Sequence, residues 1–400
     1  MKRHQFVPPP GPLGPFADDY ERHLVGHGYT FGSLQQRMVQ FSQLSRWMGS
    51  EGLAASELNE TEVQRFVAWR AARGRVSWTS PASLRLPLGF LRSAGVVPES
   101  PREGPFEGLM GGYGRYLAAE RGLAERTVEA HIDFARRFCS SVTSGPAGLA
   151  DLRPSQLNAY MLEVCSQHSA DWAQKMSGSI RSLLRYLHVA GTTPSSLVAA
   201  VPKVAGRRPG PQPPGLSPVE MSRLLRSCDR RRGVGRRDYA ILMLLARLGL
   251  RAGEVGALTL DDIDWRHGEL LVRGKGDRHE QLPLPTQVGE AVAAYLQRGR
   301  PRRDDGCREV FLRARAPWVP LGLTGVQSVV RNASVRSGLG IFGPRRLRHS
   351  AATTMLRSGM PLTAVAQVLR HHDTRVTTVY VDVDEAALAG LARPWPRGAA

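Results

Sequence analysis

The chain has 400 residues, which is enough for two or three domains with separate cores. Its 54 Lys and Arg residues outnumber 35 Asp and Glu residues, and the net charge of +19 makes nucleic acid the first candidate partner. A general bias toward arginine is the alternative explanation, since only four of these cations are lysines. The four cysteines contain no Cys-x-x-Cys pair, which argues against a disulfide framework or a zinc site.

The N-terminal segment is basic and then rich in proline, with no apolar core that would indicate a secretory signal. The longest apolar segment, residues 239–250, is too short to cross a bilayer. We therefore expect a cytoplasmic protein with no membrane partner and no metal.

Two consecutive stretches predict small helical domains. Residues 16–98 keep apolar positions at helical spacing, and residues 113–194 repeat the same plan. Both stretches end on Ala-Gly-x-x-Pro, at residues 94–98 and 190–194. We interpret the pair as a duplication, although any two four-helix domains can share such spacings by chance.

A basic, proline-rich linker follows at residues 203–214, with no acidic residue. Proline keeps such a segment extended, and its Arg207 and Arg208 suit contacts to a phosphate backbone. In the second helical stretch, Lys175, Arg181 and Arg185 are further candidates for DNA contacts. An ordinary solvated linker and a solvated helix face are the alternatives.

The third part of the chain, from residue 215, mixes helices with a short hairpin. Ser217-Pro218-Val219-Glu220 is a capping box and predicts the start of a helix. The hairpin turn would carry Lys275 between two glycines. The further predicted elements are a buried helix at 239–248, strands at 269–273, 279–284 and 310–312, helices near 286–298 and 324–337, and a terminal helix at 384–391.

Residues 344–380 hold the side chains that are best suited to catalysis. A cationic cluster is followed by two histidines and one tyrosine: Arg345, Arg346, Arg348, His371, His372 and Tyr380. Arginine forks bind two phosphate oxygens, histidine moves protons near neutral pH, and a tyrosine hydroxyl can form a covalent intermediate. The set therefore indicates attack of a phenol on a phosphodiester. Taken singly, each residue has an ordinary structural reading, such as a core tyrosine or an ion pair between Arg251 and Glu254.

In order and spacing, these motifs resemble the tyrosine recombinase (phage integrase) family. The family's Gly-Leu-Arg-x-x-Glu motif is matched at Arg251, and its hairpin lysine at Lys275. Its His-x-x-Arg-His, Leu-Gly-His and tyrosine motifs are matched at Arg345 to His349, at Leu369-Arg370-His371 and at Tyr380. This chain departs from the pattern twice, with Arg345 in place of histidine and Arg370 in place of glycine. We regard that glycine as a convenience of the backbone.

The resemblance implies a mainly α fold with a small antiparallel hairpin or sheet in the catalytic domain, an α+β arrangement. Two helical, SAM-like domains would precede a DNA breaking-rejoining domain. The expected divisions are an N-terminal helical domain, a core-binding domain, the basic linker and a catalytic domain, at residues 1–108, 109–202, 203–214 and 215–400.

The resemblance also implies cleavage and rejoining of DNA through a 3′-phosphotyrosyl intermediate at Tyr380. Arg251 and Arg348 would clamp the phosphate, His371 would donate to a non-bridging oxygen, and Lys275 would protonate the leaving 5′-oxygen. Arg345 stays charged, so it can hold phosphate but cannot be the base. No cofactor is needed, since the ester stores the bond energy. The expected partners are double-stranded DNA, further copies of the chain in a tetramer on paired sites, and accessory DNA-binding proteins.

Two alternatives stay open at this stage. A type IB-like topoisomerase would use the same chemistry to relax DNA without a specific site. A relative that has lost catalysis would bind DNA without cutting it, which the arginine at position 345 keeps possible.

Overall fold

The structure is a computed structural model that describes residues 9–75, 77–78, 80–98, 104–204, 215–274, 279–303 and 306–370. Lys275, His371, Tyr380, Arg207, Arg208 and the predicted helix at 384–391 lie outside these ranges. The chain divides into two compact units, one formed by Met1–Pro98 with Pro213–Ala400 and the other by Glu99–Gln212. None of the helices in the described ranges has the length and apolar composition that a bilayer-spanning segment needs.

The first compact unit begins with four helices: α1 Ala17–Gly26, α2 Phe31–Ser50, α3 Glu60–Ala72 and α4 Arg85–Ser93. They enclose an aromatic core in which the rings of Tyr20 and Phe41 stack 4.5 Å apart, and Phe66 is fully buried. Asn59 caps α3 by accepting a hydrogen bond from the Glu62 amide at 3.1 Å. The helical spacing of apolar residues over this stretch is thus explained by one shared core.

This helical part contacts the C-terminal part of the same unit, which begins at residue 215, through a tight turn after α1. The amide of Trp318 donates to the His27 carbonyl at 3.0 Å. Gly28 has a φ of +79°, and a Cβ there would lie 2.1 Å from the Trp318 indole. Glycine is therefore required at this turn both by its backbone conformation and by the close approach of the ring.

In its described residues, the second compact unit contains four α-helices: α5 Glu107–Arg115, α6 Glu125–Val142, α7 Pro154–Gln167 and α8 Ala170–Val189. A π-helical segment, Tyr116–Glu120, continues α5. Lys175, Arg181 and Arg185 all lie on α8, and Lys175 and Arg185 are exposed. Arg181 is half-buried, and its Nη2 donates to the carbonyls of Val201 and Pro202, both at 3.0 Å. This arginine thus fastens the chain that leads out of the unit.

The C-terminal part, from residue 215, contains seven α-helices and one sheet within the described residues. They are α9 Pro218–Arg226, α10 Gly233–Arg247, α11 Ala252–Gly256, β1 Ile263–Asp264, β2 Glu269–Arg273, β3 His279–Pro283, α12 Thr286–Arg298, α13 Gly322–Arg336, α14 Pro344–Arg357 and α15 Leu362–Val368. The sheet is antiparallel in the order β1-β2-β3, with Leu270 opposite Leu282. Helix α10 is central and packs against α12, α13 and α14. The prediction of a mainly helical fold with a small antiparallel sheet is confirmed.

Most of the predicted elements of this part are present. The Ser217 capping box forms, with the Glu220 amide 3.2 Å from the Ser217 hydroxyl and the Ser217 amide 2.8 Å from the Glu220 carboxylate. The predicted strand at 310–312 is wrong, because this segment has no ladder. It makes isolated contacts instead, with the Val310 amide on the Leu258 carbonyl and the Leu321 amide on the Phe311 carbonyl, both at 2.8 Å.

Candidate active site

The site is built on the corner between α10 and α11. Gly249 has a φ of +58°, and a Cβ there would lie 2.5 Å from the side chain of Leu369. Glycine therefore lets the corner turn and lets a distant part of the chain pack against it. Two residues later, Arg251 is the N-cap of α11, and its amide donates to Oε2 of Glu254 at 2.7 Å.

The guanidinium of Arg251 joins this corner to the last described residue. Its Nη1 donates to Oε1 of Glu254 at 2.7 Å, and its Nη2 donates to the Arg370 carbonyl at 2.9 Å. Its side chain is 41% exposed, whereas that of Glu254 is 5% exposed. Arg251 is thus fixed on one side and open to solvent on the other.

Arg348 reaches the same place from α14. Its Nη1 donates to the Gly249 carbonyl at 2.6 Å, and its Nη2 donates to the Leu369 carbonyl. The residue is buried. Arg251 and Arg348 therefore bind consecutive carbonyls of one segment, and the structure brings these two predicted residues together.

Arg370 also lies in this cluster. Its Nη2 donates to Oε2 of Glu254 at 2.7 Å, and its Nη1 donates to the Val368 carbonyl at 3.0 Å. Its φ of +56° lies in the left-handed region, which explains why glycine suits this position in the family pattern. The sequence marks this residue only as a replaced glycine, and its buried ion pair with Glu254 was not anticipated.

The first turn of α14 carries two further cations, Arg345 and Arg346. Arg345 is exposed, and the guanidinium of Arg346 lies over the Phe342 ring at 5.0 Å. Positive side chains at a helix N-terminus oppose the helix dipole, at a cost of roughly 0.3–1 kcal/mol each. An anion at this helix end would relieve that repulsion.

His349 lies one residue after Arg348 and is buried. Burial, followed by the charge of Arg345, lowers the pKa of the His349 imidazole below its usual 6.5. The protonated form of the ring is therefore disfavoured, and the neutral form predominates at pH 7.

The remaining predicted site residues, Lys275, His371 and Tyr380, lie outside the described residues. Within the described ranges, no group of three or more His, Cys, Asp or Glu side chains is arranged to hold a metal ion.

Comparison with known proteins identifies the family of the chain. The phage integrase family profile matches residues 215–387, which include the whole cluster described above. A protein of Sinorhizobium fredii that is named as an integrase/recombinase is 36% identical over 397 residues, which cover 97% of this chain and 96% of that protein. The chain belongs to the phage integrase family. Tyrosine recombinase XerD of Mycobacterium tuberculosis is 30% identical over 295 residues, covering 69% of this chain and 93% of XerD.

Solved structures share the fold of this integrase-family chain. A lambda integrase tetramer bound to a Holliday junction matches with a TM-score of 0.53 at 16% identity, covering 81% of this chain and 90% of the other. XerH recombinase bound to its palindromic substrate, in a post-cleavage complex, matches with a TM-score of 0.52 at 17% identity, over 75% of this chain and 99% of XerH.

The corner at Gly249 gives a stability prediction. Gly249→Ala should lower the free energy of unfolding by about 1–2 kcal/mol for the left-handed conformation alone, and by more because Leu369 is displaced. Gly253→Ala on α11 is the matched control, since its added methyl meets nothing within 4 Å. The control should gain about 0.5–1 kcal/mol. Chemical denaturation measures both, and equal stabilities of the two variants would contradict the described corner.

Proposed function

We propose that this chain is a site-specific DNA recombinase that cuts and rejoins DNA strands through Tyr380. The observation that carries the proposal is the meeting of Arg251 and Arg348 at one segment, from two helices distant in the chain. Membership of the phage integrase family supports the same reaction class.

In the proposed reaction, the Tyr380 hydroxyl oxygen attacks the scissile phosphorus and the bond from phosphorus to the 5′-oxygen breaks. This leaves a 3′-phosphotyrosyl ester and a 5′-hydroxyl. The transition state carries extra negative charge on the phosphoryl oxygens, which fixed guanidinium groups stabilise. The exposed side of Arg251 suits direct contact with phosphate. Arg348, which is buried, contributes its charge and holds the segment that follows α15.

Two protons have to be moved. The leaving 5′-oxygen needs one, and Lys275 is the proposed donor, because an ammonium has a pKa that a protein can lower into the useful range. The Tyr380 phenol has an unperturbed pKa near 10 and must lose its proton. The acceptor is water, the phosphate itself or His349, whose imidazole is neutral at pH 7. His371 would donate to a non-bridging oxygen, and Arg345 would bind phosphate without acting as a base.

The proposed partners are double-stranded DNA and further copies of the chain. Lambda integrase, which shares the fold, forms a tetramer on a Holliday junction. We propose the same assembly on paired sites here. Exposed Lys175 and Arg185 on α8 would contact phosphates, as would Arg207 and Arg208 of the linker.

A selection from random DNA tests the proposal and finds the DNA site at the same time. The protein is incubated with a library of nicked duplexes of random sequence, and covalent protein–DNA adducts are isolated under denaturing conditions and sequenced. The proposal predicts adducts on a defined sequence with inverted symmetry. Adducts on unrelated sequences would indicate a topoisomerase-like activity instead, and specific binding without any adduct would reject strand cleavage.

A pH dependence of stability follows from His349. Because its pKa is lower in the folded state than in the unfolded chain, its contribution is present above pH 6.5 and is lost as the pH falls toward the folded pKa. We expect unfolding experiments to show a smaller loss of stability on acidification in His349→Gln than in the parent protein.

His267 is the matched control for this experiment. It is exposed, and Asp264 raises its pKa, so it contributes stability below pH 6.5 that is lost as the pH rises through the folded pKa. His267→Gln should therefore show a steeper loss on acidification, opposite in sign to His349→Gln. The same change in both variants would contradict the assignment of neutral, buried His349.

A further inference from the structure

A third arginine is built into the site next to Arg251. The side chain of Arg370 is 2% exposed and that of Glu254 is 5% exposed, and Nη2 of the arginine lies 2.7 Å from Oε2 of the carboxylate. The Arg370 Nε atom is also buried, and it has no hydrogen-bond partner among the described residues. Burying two charged groups carries a desolvation penalty, which is offset only when their mutual attraction is joined by further hydrogen bonds to both groups.

We propose that Arg370 is a positioning residue for DNA cleavage, which acts by offsetting the charge of Glu254 and so preserves the positive field of Arg251. The inference rests on the proposed function, because it concerns the arginine assigned there to the scissile phosphate. Arg370 itself is buried and does not need to touch the DNA.

Charge accounting explains why a second cation is needed. Glu254 is shared, with Oε1 bound by Arg251 and Oε2 bound by Arg370. Two guanidinium groups and one carboxylate carry a net charge of +1. Without Arg370, Arg251 and Glu254 would form a pair with no net charge, and the repulsion of a bound phosphate by Glu254 would offset part of its attraction to Arg251.

The geometry adds a second effect. The carbonyl of Arg370 accepts a hydrogen bond from Nη2 of Arg251 at 2.9 Å, while its own side chain binds Glu254, which in turn binds Nη1 of Arg251. These contacts close a ring that holds the Arg251 fork by both Nη atoms. The exposed side of the fork is therefore fixed in direction, which lowers the cost of orienting it in the transition state.

Arg370→Gly tests the effect of the side-chain charge apart from the effect of the backbone conformation. Glycine adopts the φ of +56° without strain, so the variant loses the cation while its backbone becomes more favourable. We expect a modest change in thermal stability together with a fall in the single-turnover cleavage rate on the order of 10-fold. A group that touches the phosphate directly is worth about 100-fold or more.

The double variant Arg370→Gly/Glu254→Gln provides the decisive readout. Removing the carboxylate that Arg370 offsets should restore much of the cleavage rate, although the hydrogen bonds from Arg370 to Glu254 and to the Val368 carbonyl are then missing. Arg370→Lys keeps the charge and should retain more activity than Arg370→Gly. DNA affinity and the midpoint of thermal unfolding are measured for every variant alongside the rate.

Several outcomes separate this inference from the proposed function. A parent protein that forms no adduct would reject the recombinase proposal and the inference with it. A parent protein that cleaves while Arg370→Gly cleaves equally fast would overturn the role of Arg370 alone. A double variant no faster than Arg370→Gly, or a rate loss that tracks the loss of thermal stability, would reduce Arg370 to a structural residue.

Discussion

Replacing Arg251 with alanine is expected to slow DNA cleavage by on the order of 100-fold or more while leaving the protein folded. The reason for the slow reaction is the loss of a preorganised donor at the phosphate. The reason for the small effect on stability lies in the arrangement around Glu254. Its buried carboxylate keeps Arg370 as a partner at 2.7 Å, so no uncompensated charge is left behind.

The measurement is the single-turnover rate on a nicked duplex at saturating DNA, paired with chemical denaturation. Arg247→Ala removes an exposed arginine at the last residue of α10, close to Arg251 in the chain, and serves as the control. It should cleave at the parent rate. If Arg251→Ala cleaves as fast as the control, the assignment of this arginine to the phosphate is wrong.

Lys275→Ala is expected to lower the cleavage rate by a similar factor, but the size of this decrease should depend on the leaving group. With normal DNA the departing 5′-alkoxide is strongly basic and needs a proton, so cleavage should slow by about 100-fold or more, at the lower end of what general-acid catalysis contributes. With a 5′-thio substrate the leaving thiolate is stable without a proton, because a thiol has a pKa of about 8.5. Much of the rate should then return.

Lys203→Ala is the matched variant for this experiment, since it removes another of the few lysines from an exposed position at the start of the linker. At saturating DNA it should cleave both substrates at the parent rate. Equal defects of Lys275→Ala on the oxygen and sulfur substrates would remove this lysine from the role of proton donor.

The sequence predicted those parts of the fold that depend on local chemistry. The Ser217 capping box, strand β2 and helix α12 each carry a complete local signal, namely a cap, an apolar alternation or a helical period. The spacing of the family motifs also identified Arg251 and Arg348 as a pair, and the structure brings them together.

Features that depend on distant contacts were not predictable in this way. The ion pair between Arg370 and Glu254 joins residues 116 positions apart, and nothing in the local sequence of either residue indicates it. The only available signal was an arginine in place of a glycine. The backbone at this position is left-handed, so a residue with a side chain is strained there unless its contacts compensate for the strain. The segment around Phe311 was misassigned because its β-prone residues fill the core without pairing in a ladder.

The central claim is that the Tyr380 oxygen becomes bonded to DNA, and peptide mapping of the adduct tests it most directly. Trypsin cleavage after Arg375 and Arg397, with the Arg393-Pro394 bond resistant, yields a peptide in which Tyr380 is the single tyrosine. We predict that mass spectrometry of the nuclease-trimmed adduct finds the nucleotide on Tyr380, and that Tyr380→Phe forms no adduct. A nucleotide on another residue, or an adduct that persists in Tyr380→Phe, would contradict the account.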